Sequence, residues 1–216
     1  DRRRDCRRSE SRDQTAPERD DRRRDCRRSE SRDQLAPARA FAAWLASAGH
    51  AEAAARCERF LLASPLGWTV TLPGPVGESN IYTLRPRGAV AALARSPEGL
   101  MTQLAAILAT GNQAVIEMDN PARAELAGIP GNVAAQIHVV GSADAVADLK
   151  MVLFEGDAAA LTALNRRMAE RDGPIVQVQA VAPGQADYDL PRLLEERSVT
   201  TNTAASGGNA SLMMIG

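Results

Sequence analysis

The amino-acid sequence predicts an α/β domain with a mostly parallel sheet covered by helices on both faces, and three observations support this fold class. Short apolar segments recur beyond residue 95 and alternate with helical patterns, as expected of parallel strands joined by covering helices. Apolar residues make up 44% of the 216 positions, which is enough to bury the core of one medium-sized domain. Aromatic residues are only 3%, so the helices should pack on small side chains, and platforms for stacking nucleic-acid bases are lacking.

A duplicated, arginine-rich segment precedes this region. The sequence DRRRDCRRSESRDQ stands at residues 1–14 and again at 21–34. Acidic residues are interleaved with the arginines and reduce the attraction of this segment to phosphates. The net charge of the whole chain is -1, so we expect no strong binding to nucleic acid. Because the repeat has no apolar face, we expect residues 1–36 to be disordered.

Two short helices are predicted over residues 37–66. The first shows the i, i+3, i+4, i+7 spacing of a buried face, formed by Phe41, Trp44, Leu45 and Ala48. Gly49 and His50 interrupt it, and a second apolar face contains Cys57, Phe60 and Leu61. This pattern predicts a helical hairpin with Cys57 as a buried structural thiol.

The next segments are predicted to be extended. Residues 68–72 alternate as a strand and 73–77 form a loop rich in proline and glycine. Residues 80–84 and 88–94 are predicted strands on either side of a turn.

Helices and strands alternate beyond residue 95. Ser96 is a candidate N-cap followed by Pro97, and Gly111 with Asn112 is a natural helix stop. Further strands are predicted at 113–116, 137–140, 151–154 and 175–181, the last being the final strand. Further helices are predicted from Asn120 to just before Gly128, after the cap residue Ser142, from Asp157 through Leu161, Leu164 and Met168, and around Leu190, Leu193 and Leu194.

Common catalytic and metal-binding patterns are missing from the sequence. The three cysteines, Cys6, Cys26 and Cys57, form no CxxC pair, so neither a disulfide framework nor a zinc site is supported. No phosphate-binding loop, G-x-G-x-x-G or G-x-S-x-G motif is present. His138 is interpreted as an ordinary strand residue and His50 as a turn residue. No apolar run approaches the ~20 residues of a membrane span, so we expect a cytoplasmic protein.

Two stretches resemble cofactor-binding segments of aldehyde dehydrogenases. Residues 104–117, LAAILATGNQAVIE, resemble a helix that ends at Ala-Gly-Asn before a strand running into lysine and proline. In that family the lysine helps to hold the adenosine ribose of the nicotinamide cofactor, and Glu117 falls at its position. Residues 151–157, MVLFEGD, resemble a Phe-Thr-Gly-Ser turn in which Glu155 and Asp157 replace threonine and serine.

The resemblance implies a Rossmann-like sheet, and the substitutions point to loss of the cofactor. Carboxylates at the degenerate positions Glu117 and Asp157, together with that of Glu155, would repel the phosphates of a dinucleotide, so we expect this chain to bind no cofactor. The competing interpretation is an active dinucleotide domain with an unusual pocket.

The end of the chain resembles proline utilization A, a family of bifunctional bacterial flavoenzymes. Residues 194–216, LEERSVTTNTAASGGNASLMMIG, resemble its terminal motif, and 72–84, LPGPVGESNIYTL, resemble the entry to its carboxy-terminal domain. The resemblance covers about residues 37–216 and leaves the duplicated segment unexplained.

That resemblance implies a role without catalysis. In the family, a flavin-dependent proline dehydrogenase makes pyrroline-5-carboxylate, and an L-glutamate gamma-semialdehyde dehydrogenase module oxidises the hydrolysed product with NAD. Longer members add a carboxy-terminal domain whose tail packs on the dehydrogenase module and helps to close a substrate tunnel. FAD and NAD would belong to the parent enzyme, which would be an oxidoreductase; a membrane-peripheral location of that parent stays open.

The resemblance also implies a partner and a docking segment. The partner is the aldehyde dehydrogenase module, in cis or across a subunit interface. The residues expected to dock and seal the tunnel are Asn202, Thr203, Gly207, Gly208, Asn209, Leu212, Met213 and Ile215. The expected division is a disordered segment at 1–36, a helical linker at 37–66, an α/β domain at 67–186 and a terminal helix with tail at 187–216. The alternative is a free-standing, degenerate Rossmann-like binding or interaction domain.

Overall fold

A computed structural model describes residues 34–185 and 187–202. Its α-helices are α1 (Ala36–Ser47), α2 (Ala51–Ala63), α3 (Pro97–Ala109), α4 (Gly131–Ala134) and α5 (Ala158–Ala169). Its strands are β1 (Thr69–Leu72), β2 (Glu78–Pro86), β3 (Ala89–Ala92), β4 (Gln113–Glu117), β5 (Ile137–Val140), β6 (Leu149–Glu155), β7 (Gln177–Val181) and β8 (Leu194–Asn202). Short 3-10 helices lie at Pro121–Leu126, Ala143–Ala145 and Leu190–Leu193.

The two predicted helices at the start form a hairpin. Gly49, with φ of +88°, turns the chain between α1 and α2, a conformation that L side chains rarely adopt. Phe41, Leu45 and Cys57 are fully buried, and they belong to the same core as α3. The hairpin therefore packs directly on the α/β domain, and the prediction of two helices before the sheet is confirmed.

The main sheet is parallel and has the strand order β5-β4-β3-β6-β7. Chain order therefore proceeds outward from β3 to one edge and then from β6 to the other. This reversal between β3 and β6 is the switch point of a doubly wound sheet. The predicted α/β class with a mostly parallel sheet is confirmed.

Both faces of the parallel sheet are covered, as the apolar strands indicate. Val90 and Ala92 of β3 face α1, α2 and α3, whereas Ala91 faces a second core that contains Leu164 and Met168 of α5. Successive strand residues point to opposite faces, so continuous apolar runs are needed where both faces are buried.

A second, antiparallel sheet has the order β1-β2-β8. In this sheet β2 pairs with β8 from Glu78 opposite Asn202 to Pro86 opposite Leu194. The expected last helix is wrong in part, because only a 3-10 turn covers Leu190–Leu193 and Leu194 already begins β8. The segment at 175–181 is accordingly not the final strand. Backbone pairing with β2, rather than apolar side chains, holds this polar segment extended.

Two smaller differences concern the segment between β4 and β5. The helix expected before Gly128 is a 3-10 helix, Pro121–Leu126, and the short helix α4 follows it without having been predicted. Asn120 begins the 3-10 helix because its side chain accepts a hydrogen bond from the backbone nitrogen of Ala122.

Among the helices of the described residues, none has the length and apolar character needed to cross a membrane.

Candidate functional site

The carboxyl edge of the parallel sheet at the switch point is the first candidate site. Ligands of doubly wound sheets bind in the crevice at this point, with phosphates at the N-terminus of the following helix. Here α3 follows β3, and the hydroxyl of Ser96 accepts a hydrogen bond of 3.0 Å from the backbone nitrogen of Gly99. The predicted cap at Ser96 is confirmed.

The side chain of Glu155 lies against this helix N-terminus. It is the last residue of β6, the neighbouring strand across the switch point. The Oγ of Ser96 donates a hydrogen bond of 2.8 Å to its Oε1. A Cβ added to Gly99 would collide with Oε2, so the carboxylate occupies the space beside the first turn of α3.

A buried polar pair, Gln103 and Tyr188, lies in the core next to this crevice. Gln103 accepts a 2.8 Å hydrogen bond from the backbone nitrogen of Ala94 and donates one of 2.8 Å to the hydroxyl of Tyr188. That hydroxyl donates in turn to the carbonyl oxygen of Phe154 at 3.3 Å. Burial raises the pKa of Tyr188, the hydrogen bond from Gln103 lowers it, and the charge of Glu155 raises it. The phenol is therefore a neutral structural donor.

Glu117 lies at the end of β4 and has protein partners. Its Oε1 accepts hydrogen bonds from the backbone nitrogen of Ala143 at 3.0 Å and from Nη2 of Arg167 at 3.1 Å. The Nε of Arg167 also lies 2.9 Å from Oδ1 of Asp144. From the sequence, the Glu117 carboxylate is expected to repel phosphates. In the structure its charge is instead balanced by Arg167, and its Oε1 accepts a hydrogen bond from Ala143, the first residue of a 3-10 helix.

Asp157 has a local role. Its Oδ1 accepts a hydrogen bond of 2.8 Å from the backbone nitrogen of Ala160, so it is the N-cap of α5. The side chain is exposed. Asp157 therefore begins the helix as the sequence predicts.

Cys57, His50 and His138, the other reactive side chains within residues 34–185 and 187–202, have structural surroundings. The thiol of Cys57 is fully buried and donates to the carbonyl oxygen of Ala38 at 3.5 Å. Burial, aided by the charge of Glu58, raises the pKa of Cys57 to about 12, which removes the thiolate that a nucleophile needs. His138 is an exposed residue of β5, and the ring of His50 lies 6.2 Å from that of Trp44. The predictions for these residues are confirmed.

A nicotinamide dinucleotide does not fit this crevice. The pyrophosphate would need the N-terminus of α3, where the Glu155 carboxylate already lies against Gly99 and Ser96. Two like charges at that position would repel each other. Tyr188 and Gln103 are buried in the core and hydrogen-bonded to each other, so neither side chain is available to bind a phosphate.

The three-stranded sheet is the second candidate site. Every residue of β8 after Leu194 is exposed, and within residues 34–185 and 187–202 its edge opposite β2 pairs with no strand. Trp68 is 54% exposed and packs edge to face on Tyr82, with ring centroids 5.8 Å apart. Val199 of β8 is also an exposed apolar residue. This sheet can therefore present both backbone groups and apolar side chains to a partner.

The residues expected to dock divide between the described and the undescribed parts of the chain. Asn202 ends β8 and lies opposite Glu78 of β2. The others lie outside the described residues, and they are Thr203, Gly207, Gly208, Asn209, Leu212, Met213 and Ile215.

Sequence reasoning missed two contacts at the switch point. Ser96 was identified as a cap, but its bond to Glu155 joins residues 59 positions apart. The pairing of Gln103 with Tyr188 was also missed. One signal existed, because Gln103 is a polar residue within a helix whose other faces are apolar, and a buried amide needs partners.

Comparisons with known proteins agree on one family. No family model matches the chain. It is 41% identical over 183 residues to the bifunctional protein PutA of Rhizobium meliloti, which is 82% of this chain and 15% of that protein. It is 40% identical over 171 residues to PutA of Escherichia coli strain K12, which is 79% of this chain and 13% of that protein.

Solved structures point the same way. A crystal structure of a Bradyrhizobium japonicum proline utilization A variant matches 69% of this chain and 19% of its own, with TM-score 0.53 and 26% identity. A proline utilization A structure with proline bound in remote sites matches the same shares, with TM-score 0.54 and 27% identity. That of Bdellovibrio bacteriovorus shares the fold, with TM-score 0.55 and 15% identity. The chain thus spans a fifth or less of the length of these relatives.

Proposed function

Since the chain belongs to the proline utilization A family and matches a portion of its members, we propose that it is the non-catalytic, carboxy-terminal portion of such an enzyme. The parent would be a bifunctional flavoenzyme that converts proline to glutamate through pyrroline-5-carboxylate. This portion would support the aldehyde dehydrogenase module and help to seal the substrate tunnel.

The observation that carries the docking role is the position of β8. This strand follows the α/β domain, pairs with β2 along its whole length, and ends at Asn202, directly before residues 203–216. Its other edge, which lacks a partner strand in the described part of the chain, has backbone donors and acceptors that a strand of another module can pair with.

Apolar side chains on the same sheet support the proposal. Trp68, Leu72 and Val199 are exposed, and burial of such residues is the main source of affinity at the centre of an interface. By the strand register, Leu72 lies on one face of the sheet and Val199 on the other, and Glu195 shares the face of Val199, where a charged residue suits the rim and favours one orientation. The partner would be the aldehyde dehydrogenase module, in the same chain or across a subunit interface.

The cofactors would be bound outside this portion. FAD would serve the proline dehydrogenase reaction and NAD the oxidation of glutamate semialdehyde, and the crevice geometry at Glu155 argues against NAD in this chain. A cytoplasmic location is part of the same proposal.

Deletion of residues 203–216 in the full-length parent enzyme tests the tunnel role. We expect a several-fold loss of coupled proline-to-glutamate flux, whereas proline dehydrogenation measured with an artificial electron acceptor keeps most of its rate. Equal loss of both activities would contradict the proposal.

A matched pair of substitutions tests the sheet itself. Val199→Asp introduces a charge on the exposed face of β8, and Leu62→Asp makes a comparable change at an exposed residue of α2. We expect Val199→Asp to lower coupled flux as the deletion does and Leu62→Asp to leave it unchanged. The same effect from both would show that the sheet has no special role.

A further inference from the structure

We propose that Glu155 takes the position of a bound phosphate at the switch point, so that the chain's own carboxylate keeps nucleotide phosphates off the N-terminus of α3. This inference deepens the proposed loss of cofactor binding and rests on it. It names the residue that excludes the ligand, and this residue is neither Glu117 nor Asp157.

The charge of Glu155 complements the helix that it contacts. The N-terminus of the 13-residue helix α3 carries a partial positive charge; its first residue, Pro97, has no N–H, and the backbone nitrogen of Leu100 donates to the carbonyl oxygen of Ser96. The backbone nitrogen of Gly99 donates to Ser96 Oγ, and Ser96 Oγ donates to Glu155 Oε1. The carboxylate thus meets the helix end through the Ser96 hydroxyl, whereas a phosphate in a doubly wound fold accepts directly from backbone N–H groups; what the two share is a negative charge at the positive end of the helix.

Tight packing on both sides holds the carboxylate in place. Gly99 leaves the space that Oε2 fills, and any Cβ there would collide with it. On the other side, a Cβ at Gly156 would collide with the ring of Phe154, so the chain turns closely after β6. The backbone nitrogen of Gly156 also donates to Val181 of β7 at 3.2 Å. These contacts hold the backbone at the end of β6 in place and thereby position the Glu155 side chain beside the helix end.

The surroundings define what removal of the side chain would create. Glu155→Ala removes only one methylene group and the carboxylate, while Gln103 and Tyr188 stay buried in the core, so the space that becomes free is small. It suits one phosphate group at the end of α3 and not a whole dinucleotide. Inorganic phosphate is therefore the proper probe.

The test compares the full chain with two variants. Glu155→Ala removes the carboxylate at the helix end, and Glu98→Ala removes an exposed carboxylate from the first turn of the same helix. The melting temperature is measured in sodium chloride and in sodium phosphate at matched ionic strength, and phosphate and NAD binding are measured by calorimetry.

We expect Glu155→Ala to melt several degrees lower than the wild type in chloride and to regain most of the loss in millimolar phosphate. Its phosphate affinity should rise at least tenfold over the wild type and over Glu98→Ala. An equal phosphate response in all three proteins would overturn the inference, as would a variant that melts like the wild type and ignores phosphate.

Two further results separate the possible failures. If Glu155→Ala does not fold, Glu155→Ser supplies a short polar side chain, and the same gain in phosphate response is expected of it; its absence would overturn the inference. If the wild-type chain itself binds NAD saturably, the proposed non-catalytic role is wrong. If neither the wild type nor the variants bind NAD or phosphate, the non-catalytic role stands and the inference about Glu155 falls.

Discussion

The side-chain amide of Asn112 donates a hydrogen bond of 2.8 Å to the carbonyl oxygen of Leu193, 81 positions later in the chain. The same amide nitrogen donates to Thr110 Oγ1 at 2.8 Å, and its Oδ1 accepts from the backbone nitrogen of Gly88 at 2.9 Å. Asn112 thus joins the end of α3, the start of β3 and the start of β8.

Asn112→Ala should lower the free energy of unfolding by about 2 kcal/mol or more, because it leaves buried backbone groups at Gly88 and Leu193 without partners. Urea denaturation measures the loss, and hydrogen exchange should show it first in β8. Asn165→Ala, at an exposed position of α5, is the control and should change stability little. A loss below about 0.5 kcal/mol at Asn112 would contradict the assigned role.

Glu117→Lys should destabilise the chain more than Glu117→Gln does. The lysine would face Arg167, whose Nη2 lies 3.1 Å from the present carboxylate, and it would remove the acceptor for Ala143. We expect about 2 kcal/mol for the lysine and about 1 kcal/mol for the glutamine, measured by urea denaturation. Arg167→Glu should recover part of the loss in the lysine background only. If Arg167→Glu does not restore stability to the Glu117→Lys variant, the ion pair does not explain the loss in the free energy of unfolding.

Gly99→Ala should destabilise the protein, although alanine is normally favoured over glycine within helices by up to about 1 kcal/mol. The added Cβ would collide with Oε2 of Glu155 and approach Ser96 Oγ. Because these atoms are the ends of side chains that can rotate, we expect a loss of at most about 1 kcal/mol in the wild type and none in the Glu155→Ala background, as measured by a double-mutant cycle. Additive losses would show that Glu155 does not fill this space.

Stability should fall in alkaline solution because of two buried groups. The pKa of Cys57 rises from 9.0 to about 12 through burial, and that of Tyr188 also rises from its ordinary value. The unfolded chain therefore releases these protons at a lower pH than the folded chain does. The stabilisation is complete below pH 9 and is lost as the pH rises toward 12, by up to about 1.4 kcal/mol per pH unit and group.

Urea titrations between pH 8 and pH 11.5 check this dependence. Cys57→Ala should flatten the slope above pH 9, and Tyr188→Phe should flatten it above pH 10. Unchanged slopes in both variants would assign the alkaline loss to other groups.

Peptide-resolved mass spectrometry should also show that Cys57 resists alkylation at pH 8 until the chain unfolds.

The elements whose stability comes from buried side chains could be predicted from the sequence. The central strands β3, β4 and β6 contain short apolar runs, and Ser96, Asn120 and Asp157 begin helices by side-chain bonds to residues two or three positions away. Such signals are local, so a single sequence contains them.

The elements that depend on distant partners could not be predicted in the same way. The strand β8 buries only Leu194, and its remaining residues are polar or exposed, so no pattern of period two toward a core marks it. Its stability comes from pairing with β2, more than a hundred positions earlier. The contact of Glu155 with Ser96 has the same character, because only the closing of the parallel sheet brings the ends of β3 and β6 together.

The antiparallel sheet has a consequence for synthesis of the chain on the ribosome. Its strands β1 and β2 precede the parallel sheet in sequence and β8 follows it, with Asn80 hydrogen-bonded to a residue 120 positions later. During translation, β2 therefore has an unpaired edge while the whole parallel sheet is being made, and such an edge can pair with other nascent chains. Any truncated chain that stops before residue 194 keeps this edge of β2 unpaired. Such chains should therefore aggregate more readily than chains that extend through β8.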